Sequence, residues 1–222
     1  MTRSALVPLL MAACLLACRD RKPEAVPSPP PAASASSAPR EDGSPTPRGD
    51  RSIYALSMAL TDQNGKKIGL DAYRGDPVFV GMFYGTCPSA CPLLISTIKR
   101  LMSGLDGGAR TRVHVLLVSF DPARDTPDAL KGIAARRGLD ASWTLASAPE
   151  DEARELAALL GIRYRRLPDG NFSHTSSLVL LDPSGVIDAR IDDLGEPVEP
   201  LAARAEALAK EGAQGLSSPR DR

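Results

Sequence analysis

One run constrains this chain more than any other: Pro77-Val78-Phe79-Val80-Gly81-Met82-Phe83. It is apolar without alternation, so a strand built from it must be covered on both faces. Leu94, Ile98, Leu101, Met102 and Leu105 then recur at helical spacing and predict a helix with one buried stripe. Val113 to Ser119 is a second buried strand. At the junction between the first strand and the helix stand two cysteines, in Cys87-Pro88-Ser89-Ala90-Cys91-Pro92.

The flanking signals complete the map. Asn64-Gly65 between short strand-like segments predicts an N-terminal β-hairpin. Thr126-Pro127 predicts an N-cap and first helical residue, opening a helix to about Arg137. Trp143 to Ala146 reads as a short strand, and Ser147-Ala148-Pro149-Glu150 as a capping box whose helix ends at Gly161. Ser177–Leu181, the turn Asp182-Pro183-Ser184-Gly185, and Val186–Ile191 predict a second hairpin. A helix from Pro197 to Lys210 closes the domain. The expected fold is α/β, a mixed central sheet with helices on both faces. The cysteines fall at the carboxyl end of a central strand, where open α/β sheets place their sites.

The first fifty residues read differently. Arg3 and the short apolar stretch Leu6–Cys18 make a secretory signal too short to span a bilayer comfortably. Leu15-Leu16-Ala17-Cys18 resembles a lipobox, which implies residues 1–17 as a lipoprotein signal peptide and lipidation of Cys18; Cys14 is removed with the signal. Residues 18–50 carry eight prolines with many Ala and Ser. Such a segment buries too little apolar surface to offset ordering entropy, and is expected to be a disordered tether. Residues 51–210 are long enough for one well-buried domain, and 211–222 read as a disordered tail. The resulting protein is held on a membrane by lipid, anchored but not spanning, on the extracytoplasmic face of a bacterial cell envelope. Acidic and basic side chains balance at 27 each and no long basic run occurs, so a nucleic-acid partner has no support.

With Cys14 removed and Cys18 acylated, Cys87 and Cys91 remain as thiols. Four chemistries could use them: a structural disulfide, a redox switch, a peroxide-reacting thiol or half of a metal site. Proline in the first helical turn is tolerated, which puts Cys87 at a helix N-terminus where amide donors and the dipole favour thiolate. Cys91 lies one turn on, its Cα about 6 Å away, so the pair can open and close as a reversible disulfide. The same spacing aims two sulfurs at one point. His174, in the loop before the last hairpin, is the candidate third ligand, against the ordinary reading of a solvated imidazole. His114, near the start of an apolar strand, reads as structural. Two thiolates and an imidazole suit Cu(I) and can accommodate Cu(II), whereas zinc normally takes a fourth ligand. Asp125 belongs to a turn in which Asp125 or Thr126 caps the next helix, weighed against a carboxylate near the site that tunes metal or partner docking; Asp121, at a strand's carboxyl end, stays open between those two roles.

Three motifs in order and spacing carry a resemblance. They are Cys87-Pro88-Ser89-Ala90-Cys91-Pro92, Ser119-Phe120-Asp121-Pro122-Ala123-Arg124-Asp125-Thr126-Pro127, and His174-Thr175 ahead of Leu180-Leu181-Asp182-Pro183-Ser184-Gly185. Together they resemble the SCO/SenC family over most of residues 50–208. The resemblance implies a thioredoxin-like fold and a membrane-tethered copper chaperone for cytochrome c oxidase assembly. Cys87, Cys91 and His174 are then the copper ligands, and the partners are the oxidase's copper-site subunit and a thiol reductant protein. The chain departs from the family pattern at Ser89 and Ser173, where Asp is common, and at Gly85, where Thr is frequent. Fewer nearby carboxylates alter the hydrogen bonding around the ligands and the thiol pKa values. Other readings of the same residues are a thiol–disulfide oxidoreductase, which needs the cysteines but not His174, and a copper or redox sensor. A thiol peroxidase fits less well, because Tyr84 stands where a Thr or Ser would precede the reactive cysteine.

Overall fold

The structure is a computed structural model that describes residues 52–88 and 90–217. The signal segment, Cys18, the tether and Ser89 lie outside the described residues.

The apolar run forms β3 (Val78–Phe83), every residue of which is buried. It is an interior strand of a seven-stranded sheet with β1 (Leu60–Asp62), β2 (Lys67–Ile68), β4 (His114–Ser119), β5 (Trp143–Ser147), β8 (Leu178–Leu181) and β9 (Ile187–Ile191). The order is β2-β1-β5-β4-β3-β8-β9. Strands β3, β4 and β5 are mutually parallel, and the N-terminal and C-terminal hairpins add antiparallel strands at the two sides. Both faces of β3 are covered, as its sequence requires. A Cβ at Gly81 would lie 3.2 Å from Leu117 and 3.4 Å from Leu94 of α1 (Ala90–Gly104), so glycine lets that helix approach the strand. Among the described residues no helix is long and apolar enough to cross a membrane.

Several local expectations hold at the residue level. Thr126 caps α3 (Pro127–Arg137) by accepting from the Ala129 amide, and Gly138 closes it in the left-handed conformation. The Asn64-Gly65 turn is organised by Asp62, whose carboxylate accepts from the Asn64 and Lys66 amides. Three expectations fail. Ser147 does not cap α4 (Glu150–Leu159); it is the last residue of β5, paired with both Thr61 and Ser119, and ladder bonding takes precedence over the capping box. The final helix, α5 (Glu199–Ser217), does not end at Lys210. Near its end the Arg112 guanidinium donates to the Ala209 carbonyl, and Gly212 sits close against the Gly75 carbonyl, where a side chain would crowd it. Residues 218–222 lie outside the described residues. The third failure, a hairpin absent from the map above, bears on function.

Candidate metal centre

Strand β3 ends at Phe83, and the chain turns through Tyr84, Gly85 and Thr86 to Cys87, whose amide donates to the Tyr84 carbonyl at 3.1 Å. Helix α1 begins at Ala90, so Cys87 precedes the first helical residue instead of lying within the first turn. Its Sγ nevertheless meets the helix end, accepting from the Cys91 amide at 3.4 Å. The sulfur thus does what a capping oxygen does elsewhere, taking up a donor with no partner inside the helix. Cys91 is buried and Cys87 half-buried, and the two are not joined as a disulfide. Burial pushes the Cys91 thiol far above its ordinary value, against a lowering contribution from the backbone of Tyr84. Holding Cys91 as a thiolate therefore requires a positive partner, such as a metal ion.

His174 is not in a loop. It ends β7 (Phe172–His174), which pairs antiparallel with β6 (Tyr164–Arg166) in a separate two-stranded sheet, with Tyr164 opposite His174. The sequence masks this ribbon because each strand has three residues and one of them is mostly arginine; the Pro168-Asp169-Gly170-Asn171 turn between them was the available signal. Phe172 and His174 project to the same side and meet an aromatic cluster. The His174 ring lies 5.2 Å from Phe120 and 5.9 Å from Tyr84, and Phe120 stacks on Tyr164 at 4.6 Å. The Nδ1 of His174 is 3.1 Å from the Thr175 carbonyl. An N–H there donates to that oxygen and leaves the Nε2 lone pair for a ligand role. Donor atoms of Cys87, Cys91 and His174 all lie within 4.8 Å of one another.

The two aspartates after β4 divide the support of this cluster. Asp125 does not cap α3. It is buried, its Oδ2 accepting from the Gly85 amide at 2.9 Å and from the Ser119 hydroxyl, so it fixes the turn that leads into Cys87. Burial raises its pKa, against lowering by those two hydrogen bonds. Asp121 is only 1% exposed and pairs with Arg124 and, at 3.0 Å, with Arg166 of β6. Arg124 also donates to the Gly170 carbonyl at 2.6 Å, and Arg166 lies over the Phe172 ring at 4.9 Å. Asp121 therefore clamps the ribbon that carries His174. His114 is at the opposite end of the sheet, opposite Val78, with its Nε2 3.5 Å from Asp76.

The model of the SCO1/SenC family matches residues 48–210. The chain belongs to that family. A Stutzerimonas stutzeri protein named for copper binding is 26% identical over 60% of this chain and 67% of its own length. The Bradyrhizobium japonicum ScoI protein, solved with copper bound, is 27% identical, covers 68% of this chain and 96% of its own, and superposes with a TM-score of 0.57. BsSco, a member of the Sco family of cytochrome c oxidase assembly proteins in which a disulfide switch was identified, shares 22% identity over 68% of this chain and 91% of its own. Its TM-score of 0.60 supports the common thioredoxin-like fold. Within the SCO1/SenC pattern, the Gly85 departure has a physical reading. A Cβ there would come within 2.4 Å of Asp125 Oδ1 and 2.7 Å of Ile133, so the bare backbone lets the Asp125 carboxylate close directly onto the turn.

Proposed function

We propose that Cys87, Cys91 and His174 bind copper and that this protein carries the ion to the copper-site subunit of cytochrome c oxidase during assembly. The observation that carries the reading is the convergence of two sulfurs and one imidazole within 4.8 Å. The set is soft and low-coordinate, which favours Cu(I) and accommodates Cu(II). The His174 tautomer fits, since the Thr175 carbonyl engages Nδ1, and the buried Cys91 thiol gains most from a cation that displaces its proton. Copper bound to family members and the role of BsSco in oxidase assembly support the same reading. The N-terminal lipobox supports anchoring through Cys18 on the extracytoplasmic face of the bacterial envelope.

A second reading rests on the cysteines alone. As a dithiol they can reduce the cysteines of the oxidase's copper site, losing two electrons and two protons to form the Cys87–Cys91 disulfide; a thiol reductant protein then restores them. The Cys87 Sγ contact with the Cys91 amide and the approach of the two sulfurs to within 4.8 Å favour it.

The test is titration of the reduced protein with Cu(I), comparing Cys87→Ser and His174→Ala. One equivalent should bind tightly to the wild type, with affinity lost in Cys87→Ser and weakened by more than about tenfold in His174→Ala. Unchanged stoichiometry and affinity in both variants would refute copper binding at this site. Insulin reduction that is efficient and indifferent to His174→Ala would favour the second reading.

A further inference from the structure

Two hollows, one holding the cysteines and one reaching Phe120, which meets the His174 ring, have rims dominated by arginine. The first, of about 70 Å³, is floored by Cys87 and Cys91 and edged by Arg136 and Arg137. The second, of about 220 Å³, lies on the β6–β7 side, where Arg154, Arg165 and Arg166 surround the stacked rings of Phe120 and Tyr164. Five arginines line the two hollows against one carboxylate, Glu150, in a chain whose charges balance at 27 each. That carboxylate is engaged by Arg154 at 2.5 Å, and Arg166 is engaged by Asp121. Arg136, Arg137 and Arg165 are exposed and have no carboxylate partner among the described residues.

A second observation points to an occupant. The Tyr164 hydroxyl, at the wall of the larger hollow, is buried and has no hydrogen-bond partner among the described residues. A buried hydroxyl without an acceptor is costly, and native structures rarely leave one.

We propose that this face docks an acidic protein surface, that of the protein receiving the metal. Carboxylates pair with Arg136 and Arg137 and, separately, with Arg165, and one of them enters the larger hollow, where rotation of the partly exposed Tyr164 side chain brings its hydroxyl out to donate. The inference rests on the copper-delivery reading for the partner's identity. Guanidinium groups hold carboxylates in a planar, two-point geometry, and a one-signed rim steers encounter. Two concavities sized for single side chains suit a protein with protruding residues better than a flat layer of lipid headgroups. A headgroup layer would also cover the ligands from which the metal must leave.

Binding of the full chain, in detergent and without metal, to the metal-free copper-binding domain of cytochrome c oxidase subunit II from the same organism tests this. Affinity should fall with rising salt. Arg136→Glu with Arg137→Glu, and separately Arg165→Glu, should each weaken binding about tenfold at low salt and flatten the salt dependence. Tyr164→Phe should weaken it a few-fold with the salt dependence unchanged. Vesicles of 30% phosphatidylglycerol in phosphatidylcholine should bind all variants alike. The proposal is overturned by no binding, by affinities that the charge reversals leave unchanged, or by reversals that alter vesicle binding alone. Copper movement is scored separately. Docking that responds to the reversals without copper transfer sinks the delivery reading and leaves the surface standing; transfer with indifferent affinities does the reverse.

Discussion

The two halves of the candidate centre are built in opposite ways. Cys87 and Cys91 stand at the junction of a fully buried strand and a helix whose apolar residues Leu94, Ile98 and Leu101 are at most 2% exposed. His174 sits on a two-stranded ribbon of three residues per strand, outside the main sheet. A ribbon that small is not stable alone, so what fixes the imidazole is its surroundings: the rings of Phe120, Tyr84 and Phe172, and the Asp121 clamp. The difference teaches where the site can give way. Opening one side while two sulfurs stay in place is what the proposed delivery of copper by stepwise ligand exchange needs.

The largest effect that could break this contrast is Phe120→Ala. Phe120 is 2% exposed and meets Tyr84, Tyr164, Phe172 and His174. Removing it should cost about 3–5 kcal/mol of unfolding free energy in urea titration. The His174 contribution to copper affinity should vanish, while thiol-reagent labelling of Cys87 in the folded protein stays near wild type. Equal damage to both halves would show that the ribbon and the cysteine turn form one unit.

Asp121→Ala comes next. The guanidinium groups it holds are 39% and 56% exposed side chains that can turn to water, so the cost falls well below that of a fully buried pair, at about 1–2 kcal/mol. Copper affinity should drop about tenfold, as for loss of a group orienting a ligand. Hydrogen exchange at the Leu167 and Thr175 amides, which bond across the ribbon to Asn171 and Arg163, should accelerate selectively. Uniform acceleration across the sheet would mean Asp121 supports the whole fold and not the ribbon.

The same contrast governs what could be read from the chain. The cysteine half was legible because its signals are long and local: a seven-residue apolar run, a helical stripe, and Thr126-Pro127 capping α3 as expected. The histidine half was legible only through motif resemblance. Three-residue strands carry no usable period, and the aromatic cluster draws on Tyr84, Phe120, Tyr164 and Phe172, residues that only the fold brings together. Asp125 read as a cap because capping is the local use of such a residue. Its actual partners, Gly85 and Ser119, belong to the two neighbouring strand ends.

The smallest effect concerns that aspartate, and it sets the two supporting carboxylates against each other. Asp121 pairs with two arginines, whereas Asp125 has hydrogen bonds and feels Arg124 only beyond ion-pair distance. Burial raises the folded-state pKa of Asp125 above the ordinary 3.8. Stability from this group is therefore greatest below the unfolded value and declines as pH climbs through the folded one. Asp106, Asp140 and Asp192 are shifted the other way, chiefly by hydrogen bonds, and lose stability on acidification, so the wild-type curve alone hides the effect. The difference between wild type and Asp125→Asn isolates it, since Asn can still accept from the Gly85 amide. Urea unfolding from pH 3.5 to 7 should show the wild type losing ground to Asp125→Asn as pH rises above about 4, then levelling off. A flat difference would mean that the Gly85 and Ser119 hydrogen bonds fully offset burial. The cysteine turn would then owe nothing to the ionisation state of Asp125.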